Sequence, residues 1–178
     1  MATIVWRFTT SPTAEIKPPT QRQDVKDVLY EFFAYFFDGE SHLVSEQTIT
    51  FPDCYVRISR DMLPQDANDT LDKTLITILP APSKGETSAW KYASDSFVRR
   101  QELAFNIYVT TPHSIGGQLA TDKVTSLIQA LIGSAQSREL RIAGLAFPKV
   151  SSPTEISFND QLATNLITLR CQLSMEYV

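Results

Sequence analysis

Aromatic and cationic residues that could bind a protein surface cluster between residues 84 and 100. The cluster consists of Lys84, Trp90, Lys91, Tyr92, Arg99 and Arg100. Tryptophan, tyrosine and arginine dominate the binding hot spots of protein interfaces. Burying one indole removes on the order of 200 Å² from water, which is worth a few kcal/mol at about 25 cal/mol per Å². These six residues are therefore the candidate interface residues of the chain.

Two interpretations of this cluster stay open on the sequence. In one, Trp90 and Tyr92 belong to an arm that a neighbouring subunit covers, and the four cations contact acidic residues of that subunit. In the other, Trp90 folds back onto its own domain and the cations lie on a solvated hairpin. The intersubunit arm is the hypothesis that we carry forward.

The sequence contains no pattern typical of a metal site, a cofactor site or a catalytic site. His42 and His113 share no ligand spacing with Cys54 or Cys171, whereas a zinc site commonly takes its three or four donors in short-range pairs. The phosphate-binding patterns GxGxxG and GxxxxGK[ST] and the nucleophile pattern GxSxG do not occur. Each cysteine lies within an apolar strand pattern, which predicts small buried hydrophobic residues rather than a disulfide. We expect no metal, no cofactor and no catalytic residue.

Two polar segments offer an alternative, in which a pocket binds a small molecule. The segment HSIGGQ at 113–118 precedes a helix and could hold an anion on free backbone amides, although we favour a loop followed by a helix cap. Acidic side chains follow one another between residues 61 and 72, without the spacing of a calcium loop, and we favour a solvated turn. They are Asp61, Asp66, Asp69 and Asp72.

Length and charge limit the class of protein. The 178 residues fit one domain, 1–178, with an N-terminal arm over 1–19 and an extended hairpin loop over 80–96. The net charge of -4 argues against a protein that wraps nucleic acid, because such binding needs clustered Lys and Arg. A signal peptide and an apolar run of about 18 residues are both missing, so we expect a soluble protein made in the cytoplasm.

Hydrophobic periodicity predicts two helices that position these residues. Residues 21–37 repeat apolar side chains at helical spacing after a possible cap at Thr20, and the Asp-Gly pair at 38–39 supplies a stop. A second helix is predicted by apolar residues spaced i, i+3, i+4 and i+7, with Gly133 near its end. These residues are Val124, Leu127, Ile128 and Leu131.

The alternation of apolar and polar residues predicts the strands. The segments 48–59, 74–79 and 97–111 read as strands, and the last two could pair as an antiparallel hairpin whose tip is the 80–96 loop. Three more strands are predicted in the segments ELRIAGLAF, TEISF and the closing LITLRCQLSMEYV. This order predicts an α+β fold with a mostly antiparallel β-sheet, two main helices packed on one face and a long β-hairpin arm.

The second half of the chain resembles the tail terminator, or tail completion, proteins of long-tailed bacteriophages. The resemblance is one of pattern, order and size over residues 20–178, and it is carried by LAFNIYVTT, the helix around DKVTSLIQALIGSA, ELRIAGLAFPKV and LITLRCQLSMEYV. Members of that family form a ring, usually hexameric, that caps the tail tube and joins it to the head connector. The resemblance implies that the 80–96 loop is an arm that engages neighbours or the tube.

Several partners are implied by this resemblance. They are other copies of the chain in a ring, the tail tube protein, the head-tail connector or neck protein and, in a contractile tail, the sheath. DNA would pass through the lumen without specific binding, and the protein would be a structural component of the tail-neck region of the virion rather than an enzyme. Two alternatives remain: a head completion or neck protein, and a small enzyme or ligand-binding α+β domain in which HSIGGQ and the aspartates between residues 61 and 72 line a pocket.

Overall fold

The structure is a computed structural model that describes the backbone of most of the chain. The described residues are 4–5, 15–16, 22–44, 46–58, 71–82, 87–92, 96–133, 145–157 and 160–177. Side chains are described over 25–44, 46–58, 71–82, 102–133, 148–157 and 160–172.

The elements follow the predicted order of a helix, strands, a second helix and more strands. The first half contains β1 (Ile4–Val5), β2 (Glu15–Ile16), α1 (Arg22–Phe36), β3 (Ser41–Val44), β4 (Gln47–Thr50), β5 (Tyr55–Ile58) and β6 (Leu75–Ala81). The second half contains β7 (Thr87–Tyr92), β8 (Ser96–Pro112), α2 (Gly117–Gly133), β9 (Leu145–Val150), β10 (Thr154–Ile156) and β11 (Leu162–Tyr177). None of the helices in the described part combines the length and apolar character that a bilayer crossing requires.

Both helices match their predictions closely. Helix α1 begins one residue after the predicted start and ends one residue before the predicted end, at Phe36. Gly39 follows with φ +84°, a conformation that favours glycine, so the Asp-Gly pair is the stop that the sequence predicts. The apolar stripe of α2 is also confirmed, because Val124, Ile128 and Leu131 are buried.

A long antiparallel pair, β8 and β11, forms the centre of a seven-stranded sheet. The two strands pair without interruption from Leu162 opposite Pro112 to Tyr177 opposite Phe97. On its other side β8 pairs first with β7 and then with β6, while β11 pairs with β9 and β10. Strand β5 lies beside β6 and is parallel to it. The predicted α+β fold with a mostly antiparallel sheet is confirmed.

One face of this sheet holds the hydrophobic core and both helices. Helix α1 packs on β5 and β6, and α2 packs on β8, β9 and β11. On β8 the predicted alternation is confirmed, because Leu103, Phe105, Ile107 and Val109 are all fully buried on this face. Opposite the first three on β11 lie Cys171, Leu169 and Ile167, which belong to the same cluster, because directly opposed residues of antiparallel strands share a face.

The other face of the central strands is buried as well. Ala104, Thr110 and Thr77 have no exposed surface, and Thr164 of β11 lies directly opposite Thr110 on this face. The hydroxyls of Thr110 and Thr164 are 3.2 Å apart, and Arg57 Nε donates a hydrogen bond of 3.0 Å to Thr77 Oγ1. These bonds satisfy polar groups that would otherwise be costly to bury.

The predicted strand over 48–59 is wrong as a single element. Thr50 ends β4 and Tyr55 begins β5, with Pro52 between them, because proline cannot donate a ladder hydrogen bond. Strand β4 instead forms a hairpin of its own with β3, which the sequence pattern did not predict.

The strands after α2 differ from their predicted bounds. Strand β9 runs from Leu145 through Pro148 to Val150, while 139–144 lie outside the described residues. Within TEISF the structure gives β10 over Thr154–Ile156. Both strands pair with β11, at successive positions along its outer edge. The closing strand β11 is confirmed.

The two cysteines are buried and free, as predicted. Burial raises the pKa of each thiol to about 12, and for Cys54 the nearby Asp53 carboxylate adds to this effect while Lys73 opposes it. At pH 8 only about one thiol in ten thousand would be ionised, and the thiolate is the reactive form.

We therefore expect neither thiol to react with iodoacetamide at pH 8 in the folded protein. After unfolding in guanidinium chloride both should be alkylated, which mass spectrometry of the intact chain measures. Rapid alkylation of either cysteine in the folded protein would contradict the burial described for Cys54 and Cys171.

Candidate subunit interface

The hairpin that the sequence predicts is longer than expected, because its loop contains a strand. The 80–96 segment was expected to be a loop with Trp90 near its tip, but Thr87–Tyr92 form β7 and pair with β8. Strand β6 also continues through Pro80 to Ala81, beyond the predicted end at 79. Pro80 is tolerated because β5, the neighbour on that side, pairs with β6 only as far as Ile78. Only residues 93–95 connect β7 to β8.

These strands form an arm, which we define as β7 with Ser96–Gln101 of β8. The register places Trp90 opposite Val98 and Tyr92 opposite Ser96. Strand β11 borders the arm on its other side, where Tyr177 lies opposite Phe97. The arm is therefore the end of a three-stranded ribbon, β7-β8-β11, that continues beyond the pairing of β6 with β8, which ends at Ala104.

The candidate interface residues are divided between the two faces of the arm. Because residues alternate along a strand, Trp90, Tyr92 and Arg100 belong to one face, and Lys91 and Arg99 belong to the other. The first face continues the face of β8 that lies away from the helices. The structure thus brings five of the six residues together on adjacent strands, while Lys84 lies outside the described residues.

Exposed apolar side chains mark the opposite end of β8. Leu119 in the first turn of α2 is 82% exposed, and Ile115 in the 3-10 turn before the helix is 42% exposed. Leu119 lies on the outer surface of α2, opposite the buried stripe that contains Val124 and Ile128. A leucine on this side of a helix contributes nothing to its own core.

Acidic side chains border these apolar residues. Asp122 lies one turn after Leu119, and its Oδ1 accepts hydrogen bonds from Asn165 Nδ2 at 2.8 Å and Gln118 Nε2 at 2.7 Å. Glu155 on β10 is opposite Asn165 and therefore on the same face of the sheet. Both carboxylate residues are exposed.

The turn before β11 adds another acid to this end of the sheet. Asp160 is exposed, and the next residue, Gln161, accepts a hydrogen bond of 3.0 Å from the backbone N–H of His113. Lys123 is an exposed cation on the same surface of α2. We define the α2 entry surface as Ile115, Leu119, Asp122, Glu155 and Asp160, and it is acidic on balance.

Sequence reasoning missed the α2 entry surface, although one signal for it was present. The pattern from Val124 to Leu131 assigns the buried stripe of α2, and extending it back along the helix leaves Leu119 on the opposite side. The acids could not be grouped with Leu119 from the sequence, because Glu155 approaches only through the pairing of β10 with β11.

The segment HSIGGQ forms the entry to α2. Residues His113–Ile115 make a 3-10 turn, and Gly116 and Gly117 follow with φ +133° and +53°. A Cβ on Gly117 would lie 2.6 Å from His113 Nδ1, so the close approach of the imidazole requires glycine there. This geometry supports the interpretation as a loop and helix entry.

The predicted aspartate cluster is described only at its end. Asp61, Asp66 and Asp69 lie outside the described residues, while Asp72 Oδ1 accepts a hydrogen bond of 2.8 Å from Tyr55 Oη. That bond and the Asp72 charge raise the pKa of the Tyr55 phenol. Among the described residues, no group of three or more His, Cys, Asp or Glu side chains is placed to hold a metal ion.

A second polar cluster surrounds His42. The imidazole lies between aromatic rings, with centroids 4.9 Å from Tyr35 and 5.3 Å from Phe36, and its Nε2 is 2.9 Å from Asp38 Oδ1. Partial burial tends to raise the pKa of Asp38, but hydrogen bonds from His42 and from the Glu40 backbone outweigh it, so this pKa lies below its ordinary value.

We expect the Asp38 carboxylate to make the free energy of unfolding fall more steeply at acidic pH. A carboxylate whose pKa is lowered by folding stabilises the native state above its unfolded pKa, near 3.9, and that contribution is lost as pH falls through the lower folded value. Asp38→Asn should therefore flatten the acid limb of a plot of unfolding free energy against pH. Urea titrations between pH 2 and 6 test this, with Glu46→Gln, an exposed residue of the β3-β4 turn, as the control. Identical acid limbs for Asp38→Asn and the wild type would contradict the role given to Asp38.

Comparison with known proteins adds little to this geometry. No protein-family model and no curated protein matches the chain. One solved structure, whose name carries no functional information, aligns over 90% of this chain and 99% of its own with 12% sequence identity and a TM-score of 0.41. At this TM-score the likeness carries no argument about fold or function.

Proposed function

We propose that this chain is a structural virion protein that forms a ring, of hexameric type, which caps a phage tail tube and joins it to the head-neck connector. The observation that carries the proposal is the arm. Its three-stranded ribbon continues the sheet beyond the pairing of β6 with β8, which ends at Ala81 opposite Ala104, and it places Trp90 and Tyr92 on the face away from both helices.

Physical chemistry favours a partner for such an arm. A two-stranded hairpin is marginally stable by itself, and a three-stranded ribbon needs a hydrophobic face or packing against a helix for independent stability. The arm is also rich in the residue types that dominate interfaces. A neighbouring copy of the chain is the partner that the ring supplies.

The two ends of the molecule suit a head-to-tail contact. The arm lies at the start of β8, whereas Leu119 and its acidic neighbours follow the end of the same strand. Two different surfaces on one subunit generate a heterologous interface, and heterologous interfaces close into rings when the rotation between subunits permits it.

The remaining partners follow from the proposed position in the particle. The ring would contact the tail tube protein on one side and the connector or neck protein on the other, and in a contractile tail it would also contact the sheath. The net charge of -4 suits a lumen through which DNA slides without binding. The chain would be made in the host cytoplasm and reside at the tail-neck junction as a non-enzymatic component.

Electron microscopy of particles that carry a labelled copy of the chain tests this proposal. We expect the label at the head-proximal end of the tail tube, and we expect unjoined heads and tails when the chain is omitted. A label at the head portal, separated from the tube end, would instead assign the chain as a head completion protein. Normal particles without the chain would overturn both assignments.

A further inference from the structure

We propose that the arm of one subunit docks on the α2 entry surface of the next copy of the chain. This inference rests on the ring function proposed above and specifies which two surfaces meet. The arm contributes Trp90 and Tyr92 together with Arg100 of the same face, with Lys91 and Arg99 on its other face, and the receiving surface contributes Leu119 and Ile115 with their acidic border.

The receiving surface has the composition of an interface centre. Leu119 is 82% exposed, and Ile115, in the 3-10 turn that precedes α2, is 42% exposed. Covering these two side chains removes apolar area from water, which is favourable in rough proportion to the area covered. In an isolated subunit Leu119 and Ile115 stay exposed to water, so this favourable free energy is not obtained.

Charge complementarity identifies the occupant as the arm. The exposed carboxylates of Asp122, Glu155 and Asp160 outnumber the one described cation of that surface, Lys123. The arm carries a net positive charge, since Lys91, Arg99 and Arg100 outnumber Asp95, between its two strands in sequence, and Glu176, opposite Val98 on β11. Opposite potentials across an interface fix its register and exclude wrong partners.

The subunit cannot satisfy this surface with its own arm. Strand β8 has 17 residues between the two ends, which is about 55 Å at about 3.3 Å per residue. The arm pairs with the first part of β8 and lies at one end of this length, whereas Pro112 and the α2 entry surface lie at the other. A second copy brings the two ends together.

The first test replaces Leu119 by lysine, which removes the apolar contact and repels the arm. Because Leu119 is exposed, Leu119→Lys should leave the fold intact, as circular dichroism checks. We expect the dissociation constant for self-association, measured by sedimentation velocity with and without purified tail tubes, to rise at least about tenfold. Leu43→Lys, the same change at a residue 65% exposed on β3, is the matched control and should assemble like the wild type.

The second test links the two surfaces covalently. One variant carries Ala93→Cys, between β7 and β8, and the other carries Leu119→Cys. Mild oxidation of the mixture should give a disulfide-linked dimer between the two variants. Cys54 and Cys171 should not interfere, because both thiols are buried. Ala93→Cys mixed with Leu43→Cys should give no link.

The outcomes separate this inference from the ring function. If the wild type assembles but Leu119→Lys assembles equally well and the Ala93→Cys and Leu119→Cys variants do not link, the docking surface is wrong and the ring stands. If Leu119→Lys self-associates normally but no longer joins tail tubes, the surface receives the tube protein and this inference is overturned. A wild type that stays monomeric alone and with tubes overturns the inference and the ring together.

Discussion

The double substitution Trp90→Ala, Tyr92→Ala should raise the dissociation constant of the assembly at least about 30-fold. Each aromatic residue that acts as a hot spot contributes about 2 kcal/mol or more to binding, and about 1.4 kcal/mol corresponds to a factor of ten. The two residues belong to the same face of β7, so their effects should not add fully. Sedimentation velocity over a concentration series measures the change.

Folding of the isolated subunit should survive this substitution. Among the residues whose side chains are described, the core cluster is built on α1, α2 and the central strands, and β7 pairs only with Ser96–Gln101 of β8, before the paired core positions of β6, β8 and β11. Tyr30→Ala is the matched control, because Tyr30 is an aromatic residue of α1 that is 40% exposed and far from β7 in sequence. Equal assembly of the double variant and the wild type would favour the other interpretation, in which Trp90 packs on its own domain.

The substitution Phe32→Ala should lower the free energy of unfolding by about 3–5 kcal/mol. Phe32 is fully buried in the middle of α1, with ring centroids 5.6 Å from Phe33 and 5.2 Å from Phe36 in edge-to-face geometry. Removing its ring forfeits the transfer free energy, leaves a cavity and breaks both aromatic contacts. Domains are stable by only about 5–15 kcal/mol, so a large share of the total is at stake.

Urea unfolding at a fixed protein concentration measures this loss, because assembly makes apparent stability depend on concentration. Leu43→Ala is the control, since a side chain that is 65% exposed should change stability by less than about 1 kcal/mol. A Phe32→Ala midpoint equal to that of Leu43→Ala would mean that α1 does not pack on β5 and β6 as described.

Strong periodicity made much of the fold predictable from the sequence. Apolar residues repeat at helical spacing along α1 and α2, and they alternate with polar residues along β8 and β11. In each of these elements the residues that the pattern predicts to be buried are the ones that contribute to the core. The antiparallel pairing of β6 with β8 also followed from the order of the elements.

Strand β7 could not be predicted in the same way. In the segment TSAWKY only Trp90 and Tyr92 alternate with a polar residue, which is too short a pattern to predict a strand, and its extended conformation depends on hydrogen bonds to the first part of β8. The sequence likewise predicts one strand where the structure has two short strands around Pro52. The alternation of apolar and polar residues continues through this proline, although the proline interrupts the hydrogen bonding between strands. In both cases pairing partners, which the local sequence does not specify, decide the outcome.

The candidate interface was predicted in part. The residue types of the arm pointed to binding, and the structure places Trp90, Tyr92 and Arg100 on one face through alternation along paired strands. The α2 entry surface depends on the contact of Asp122 with Asn165 and on the pairing of Glu155 with the same residue. The first contact joins residues 43 positions apart and the second depends on the register of β10 with β11, and local pattern specifies neither.

The central claim is that copies of this chain cover one another's interface surfaces. The most direct test of this claim is the mass of the wild-type particle in solution. Sedimentation equilibrium, with purified tail tubes present and absent, compares that mass with the 20.0 kDa of one chain. We predict a closed assembly at an integral multiple of this mass, six for the proposed ring, in solution or at the tube end. A particle of one chain mass under both conditions, with no chain bound to the tubes, would contradict the account.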